Sequence, residues 1–234
     1  AGELGKPYSW RSYKDYMDTV HAAKPAARFE GLVGHGTIRM CVMGSENRKP
    51  TDDELRKMQE LLAKCCEEGA KGLSFGLIYP PGSFGDTEEL IAMAKVVAQY
   101  DGIIMVHMRN EKNLLLESID EMLTVARESG ARLQISHLKA LGKPNWGKVN
   151  DALKKIEQAN EEGLKVCVPQ WAYSGGEHKF QERLSDSEEY KKILKETNDE
   201  IQVRGGGEAI LIASVATEEY KWMAGKYMDE ISEK

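Results

Sequence analysis

Five short apolar runs recur along the first 170 residues, and their spacing constrains the fold of this 234-residue chain more than any other feature. "EGLVGH" ends at His35, "GAKGLSFG" near Gly76, "GIIMVH" at His107, "RLQISH" at His137 and "LKVCVPQ" at about Gln170. An interval of roughly 30 to 40 residues is what one strand, one helix and two loops consume.

The intervening segments read as amphipathic helices with defined ends. In "PTDDELRKMQELLAKCCEEG", Thr51 and Glu54 have the spacing of a capping box, and Gly69 suits a left-handed stop. Leu55, Met58, Leu62, Cys65 and Cys66 share one face. "DTEELIAMAKVVAQYDG" repeats the design with Asp86 or Thr87 as cap, and "NLLLESIDEMLTVARESG" and "WGKVNDALKKIEQANEEG" follow it. Apolar strands separated by helices predict a parallel sheet in an α/β fold. An open doubly wound sheet and a barrel of eight units both satisfy this pattern. No G-x-G-x-x-G follows an early run, and polar and aromatic residues gather beyond the strand ends, which favours the barrel. Five clear units leave that barrel incomplete. Beyond Gly176 the chain turns polar and reads as one exposed helix and a Gly-rich link, with "EAILIASV" as one late strand.

Charge and cysteine usage narrow the partners. A formal net charge of −6 argues against broad affinity for nucleic acid or acidic membranes. No apolar run approaches the roughly 20 residues of a membrane span, and the opening "AGELGKPYSW" lacks the blocks of a signal peptide. Cys41, Cys65, Cys66 and Cys167 form no CxxC motif or disulfide framework, so they read as reduced, buried thiols of a cytoplasmic protein.

The residues with chemistry sit after the runs. His107 and His137 end consecutive strands, and adjacent strands are under about 5 Å apart, so both imidazoles can reach one barrel mouth. Neutral imidazoles there suit Zn²⁺, although two core histidines, each bonded to a loop, satisfy the same spacing. A catalytic zinc also needs a third ligand and an open position. Lys139 stands two residues past His137, placed to meet a substrate anion or simply solvated. Arg109 and Glu111 follow His107 and can pair with each other. "IYPPGSFGD" is a stiff loop that either offers Ile78 and Tyr79 as an apolar wall or merely turns the chain. His35, between two glycines, suggests close backbone approach as much as chemistry, while His21 and His178 read as surface residues.

Taken together, "LVGHGTIRMCVMG", "GLSFGLIYPPGSFGDTEEL", "HMRNE", "QISHLKALGKPNWGKV" and "ILIASVATEEYKWMAGK" resemble the N-acyl-D-amino-acid deacylases of the amidohydrolase superfamily. The resemblance runs in order from about Trp10 to Lys226. It implies a partial (β/α)₈ TIM-like barrel of the metal-dependent hydrolase type, lacking first and last units. Residues 1–176 would form central barrel units, about strands three to seven, and 177–234 a polar helical insert and late strand of the same catalytic domain. It also implies hydrolysis of N-acyl-D-amino acids, small-molecule substrates, to a D-amino acid and a carboxylate. His107 and His137 match the family's zinc histidines after strands five and six. Lys139 and Tyr173 match the residues that hold the substrate carboxylate, and Ile78 and Tyr79 match positions lining the side-chain pocket.

The departures matter as much. The family's H-x-H pair and ligand cysteine lie upstream of Ala1, and its catalytic aspartate lies beyond Lys234. Cys41, in "RMCVMG", follows a later strand and is not a ligand candidate. "PQWAY" replaces Asp-Gln-Tyr-Pro-Tyr, so Pro169 and Trp171 alter one wall, and the loop after Tyr173 is cut to "SGGE". The chain is therefore expected to be a central fragment with no catalytic residue of its own, inactive alone. Zinc belongs to the intact parent, and open barrel edges favour self-association. The alternative is a binding module on a degenerate scaffold that needs no metal.

Overall fold

The five apolar runs become five parallel strands that lie in the sheet in chain order: β1 (Val33–Gly34), β2 (Gly72–Gly76), β3 (Ile103–His107), β4 (Arg132–Ile135) and β5 (Val166–Cys167). This is a computed structural model, and it describes residues 10–168 together with Trp222, Met223 and Lys226. The described residues fall into two compact units, 10–138 with 150–168, and 139–149 with those last three residues. The late strand at "EAILIASV", the polar helix after Gly176, His178, Pro169, Trp171 and Tyr173 lie outside the described residues.

Among the described residues, six α-helices accompany the strands: α1 (Tyr13–Ala22), α2 (His35–Met43), α3 (Asp52–Glu67), α4 (Thr87–Gln99), α5 (Leu115–Ser129) and α6 (Lys148–Glu161). The capping box of α3 is present, with Thr51 accepting from the Glu54 amide and the Glu54 carboxylate accepting from the Thr51 amide. Arg48 grips that same carboxylate with both terminal nitrogens at 2.7 Å and holds its pKa down to about 2. Asp86, rather than Thr87, caps α4. Helix α5 stops on Gly130 in the left-handed region, as expected. After α4 the left-handed residue is instead Asp101, at φ 47°. Gly102 is needed there for closeness, since a Cβ would lie 2.7 Å from Val97 Cγ1.

Two helices are absent from the periodicity reading. Helix α2 begins at His35, so that residue opens a helix instead of ending a strand, and β1 is only two residues long. Its Gly36 and β-branched residues are weak helix formers, and packing of Ile38, Arg39 and Met43 in the interior compensates. Cys41 accordingly sits on a helix and is exposed. Cys167 is exposed as well and Cys65 is half-buried, so the expectation of four buried thiols holds only for Cys66, whose pKa burial pushes up to about 11.

Burial alternates along the strands. Leu73, Phe75, Ile104, Val106, Leu133, Ile135 and Val166 are buried, whereas Ser74, Met105 and Gln134 on the opposite face are half-buried. The register aligns Ser74, Met105, Gln134 and Cys167 as one layer, and Gly76 with His107 as the next layer toward the strand ends. The apolar face gains about 1.5–3 kcal/mol per fully buried aliphatic side chain. The half-buried face leads to the strand ends.

One buried ionic group ties α2 to α4. Glu89 Oε1 accepts from Arg39 Nε at 3.0 Å and lies 2.7 Å from His35 Nε2, and all three side chains are buried. Arg39 also donates to the carbonyls of Glu46 and Arg48. Removing the carboxylate strands a buried cation, so Glu89→Ala is expected to lower unfolding stability by about 3–5 kcal/mol in urea titration.

Candidate metal centre

Parallel pairing sets the first half of the site. Gly76 of β2 is in register with His107 of β3, and the Leu77 amide donates to the His107 carbonyl at 3.0 Å. His107 therefore ends its strand on the half-buried face, in line with Met105 two residues earlier.

His137 arrives there by a different route. In β4, Leu133 and Ile135 are buried and Gln134 is half-buried, so continued alternation would turn residue 137 toward the helices. The strand stops at Ile135, the Ser136 amide bonds the Val106 carbonyl, and His137 takes a left-handed backbone at φ 41°. That departure brings its ring against His107. Few non-glycine residues adopt this region, and such backbone outliers gather at functional sites.

The imidazoles meet edge to face, with His107 Nδ1 and His137 Nε2 2.8 Å apart. Glu111, only 6% exposed, approaches the other nitrogens: its Oε1 lies 3.0 Å from His137 Nδ1 and its Oε2 3.9 Å from His107 Nε2. Donor atoms from the three side chains fall within 4.8 Å of one another, the one such group among the described residues. Two facing imidazole nitrogens, with a carboxylate behind the rings, suit zinc, and the rings need part by only about half an ångström to subtend a tetrahedral angle. The donor chemistry and spacing therefore fit a zinc ion.

Glu111 is the residue that the sequence reading misplaced. It does not pair with Arg109. Arg109 instead forks onto Glu121, with Nε and Nη2 both at 3.1 Å. The available signal was the four-residue spacing from His107 inside "HMRNE".

Tyr79 stands beside the pair, its ring centroid 5.2 Å from that of His107. It also lines a cavity of about 440 Å³ with Thr37, Met40, Cys41, Ser74 and Pro81. Ile78 is 47% exposed and does not line that cavity. Lys139 is half-buried in the loop after His137 and belongs to the second unit. His35 belongs to the buried Glu89 group, and His21 is exposed as expected.

A parallel β/α array with paired imidazoles beyond neighbouring strand ends is the construction of a metal-dependent hydrolase barrel. No protein-family model matches the chain. It is 34% identical to a D-aminoacylase of Alcaligenes xylosoxydans xylosoxydans over 155 residues, 66% of this chain and 32% of that protein. An N-acyl-D-glutamate deacylase of the same organism is 34% identical over 160 residues, 68% of this chain and 33% of that protein. Among solved structures, an N-acyl-D-glutamate deacylase from Bordetella bronchiseptica complexed with zinc and a phosphonate inhibitor aligns with a TM-score of 0.77 at 26% identity. That alignment covers 98% of this chain and 44% of the other. A D-aminoacylase structure aligns with a TM-score of 0.71 at 28% identity, over 95% of this chain and 42% of that one. The chain belongs to the N-acyl-D-amino-acid deacylase family of amidohydrolases. It spans about a third of the length of the curated relatives it matches.

The left-handed backbone at residue 137 and its imidazole are separable. Glycine adopts that region without steric cost, so His137→Gly is expected to change unfolding stability by less than about 1 kcal/mol while removing metal binding. Urea titration and metal analysis of the same sample check both halves.

Proposed function

We propose that this chain carries two zinc ligands, His107 and His137, of an amidohydrolase that cleaves N-acyl-D-amino acids to a D-amino acid and a carboxylate. The observation that carries the reading is the facing of His107 Nδ1 and His137 Nε2 at 2.8 Å, with Glu111 against their remaining nitrogens. Bound zinc supplies polarisation of the acyl carbonyl and a water acidic enough to ionise near neutral pH. His107 and His137 hold the ion, and the Glu111 carboxylate lies behind their rings. Tyr79, its ring beside that of His107, and Ile78 are assigned to the pocket for the substrate side chain. Lys139 and Tyr173 are assigned to the substrate carboxylate. Residues 1–176 act as central barrel units, and 177–234 as an insert and strand of the same catalytic domain.

No residue of this chain is assigned the proton transfer from water to the leaving amine. The chain by itself is expected to bind zinc without turning over substrate, and steady hydrolysis of an N-acetyl-D-amino acid by it would contradict that. The alternative, a metal-free binding module, gives no reason for a carboxylate and two imidazoles to converge.

Calorimetric zinc titration tests the reading. The wild-type chain is expected to bind one zinc. His107→Ala is expected to abolish binding, and Glu111→Gln to weaken it about 10- to 100-fold. Wild-type affinity in His107→Ala would overturn the assignment.

A further inference from the structure

The loop between β2 and α4, residues 78–86, combines a fixed backbone with exposed side chains. Ile78 is 47% and Tyr79 61% exposed, yet the main chain around them is held from several directions. The Tyr79 amide donates to Gly76 O at 3.2 Å, and the Ser83 amide to Tyr79 O at 2.9 Å. Asp86 caps α4 and pairs with Lys49 at 2.5 Å. From beneath, Gly85 rests on the buried His35–Glu89 group, where a Cβ would come within 3.1 Å of both side chains. Gly82 passes so close to β2 that its Cβ would lie 2.8 Å from the Gly76 carbonyl oxygen.

The most direct tie comes from the segment that carries His107. Arg109, two residues on, donates from Nη1 to Ser83 O at 2.9 Å and from Nη2 to Gly85 O at 2.8 Å. Its remaining donors fork onto Glu121 of α5, whose Oε1 also accepts from the Thr87 hydroxyl at 3.0 Å. One guanidinium thus joins a strand end, a loop and helix α5, and Glu121 carries the link on to Thr87 of α4. The planar array of five donors makes this possible, and a lysine ammonium has no equivalent geometry.

We infer that Arg109 is a positioning residue: by bonding the Ser83 and Gly85 carbonyls it fixes the 78–86 loop so that the Tyr79 ring stands against His107. The assignment of that ring as a wall of the reaction site rests on the proposed deacylase function. The positioning itself does not. Arg109 makes no contact with the facing imidazole nitrogens and acts through the loop. An apolar group of a substrate then meets a wall whose backbone is already ordered, which lowers the entropy cost of binding.

The test is a proton–proton nuclear Overhauser contact between the Tyr79 and His107 rings, measured on the full chain without metal. The wild-type chain is expected to show the cross-peak. Arg109→Ala is expected to weaken it at least threefold, with the circular-dichroism spectrum of a folded chain. Arg109→Lys keeps the charge and is expected to fail to restore the cross-peak, so it decides the matter if the alanine variant does not fold. Gly82→Ala, which pushes the loop off β2 and leaves Arg109 intact, is expected to lose the cross-peak too. A wild-type cross-peak in folded Arg109→Lys would overturn the inference, because a merely stabilising Arg109 lowers the melting temperature without moving the rings. Absence of zinc binding in the wild-type chain would overturn the assignment of His107 and His137 as ligands and leave this outcome untouched.

Discussion

The site depends on one backbone event, the left-handed turn at His137. Without it, strand alternation sends that imidazole to the helix-packed side of the sheet, and His107 faces no partner. With it, two nitrogens from consecutive strands face each other at 2.8 Å. A non-glycine residue in this region costs about 1–2 kcal/mol, a sizeable share of the roughly 5–15 kcal/mol that holds a domain folded. The alternating apolar face of the sheet, from Leu73 to Val166, supplies the stability against which that cost is set.

Around the turn, charged groups are used in two ways. The Glu89–Arg39–His35 group is buried and bonded among its own members and to two carbonyls, and it joins α2 to α4 beneath the 78–86 loop. Glu111 is also buried but lies against the two imidazoles, where its charge favours a bound cation. Arg109 stands between these groups and links the loop to the strand that carries His107. These ties are concentrated around His107 and Tyr79.

Much of this was legible in the sequence for identifiable reasons. The five strands followed from apolar runs at a regular interval, and α3 from the Thr51–Glu54 box and its apolar face. Helix α2 was not legible, because Gly36 and β-branched residues hide a helix that only tertiary packing stabilises. His107 and His137 were legible as strand-end residues able to reach one barrel mouth, but the left-handed backbone that brings His137 there was not, since strand alternation alone turns it to the other face. Glu111 was missed because a carboxylate near an arginine reads as half of an ion pair, and only the fold shows Arg109 committed to Glu121. The family resemblance pointed to the same histidines and left Glu111 without a role.

The central claim is that His107 and His137 ligate one ion. X-ray absorption at the zinc edge of the zinc-loaded chain tests it most directly. Ligation by both histidines gives nitrogen or oxygen neighbours alone at about 2.0–2.2 Å, with the outer-shell scattering of two imidazoles. A sulfur shell near 2.3 Å, drawn from exposed Cys41 or Cys167, or the signature of one imidazole only, would contradict it.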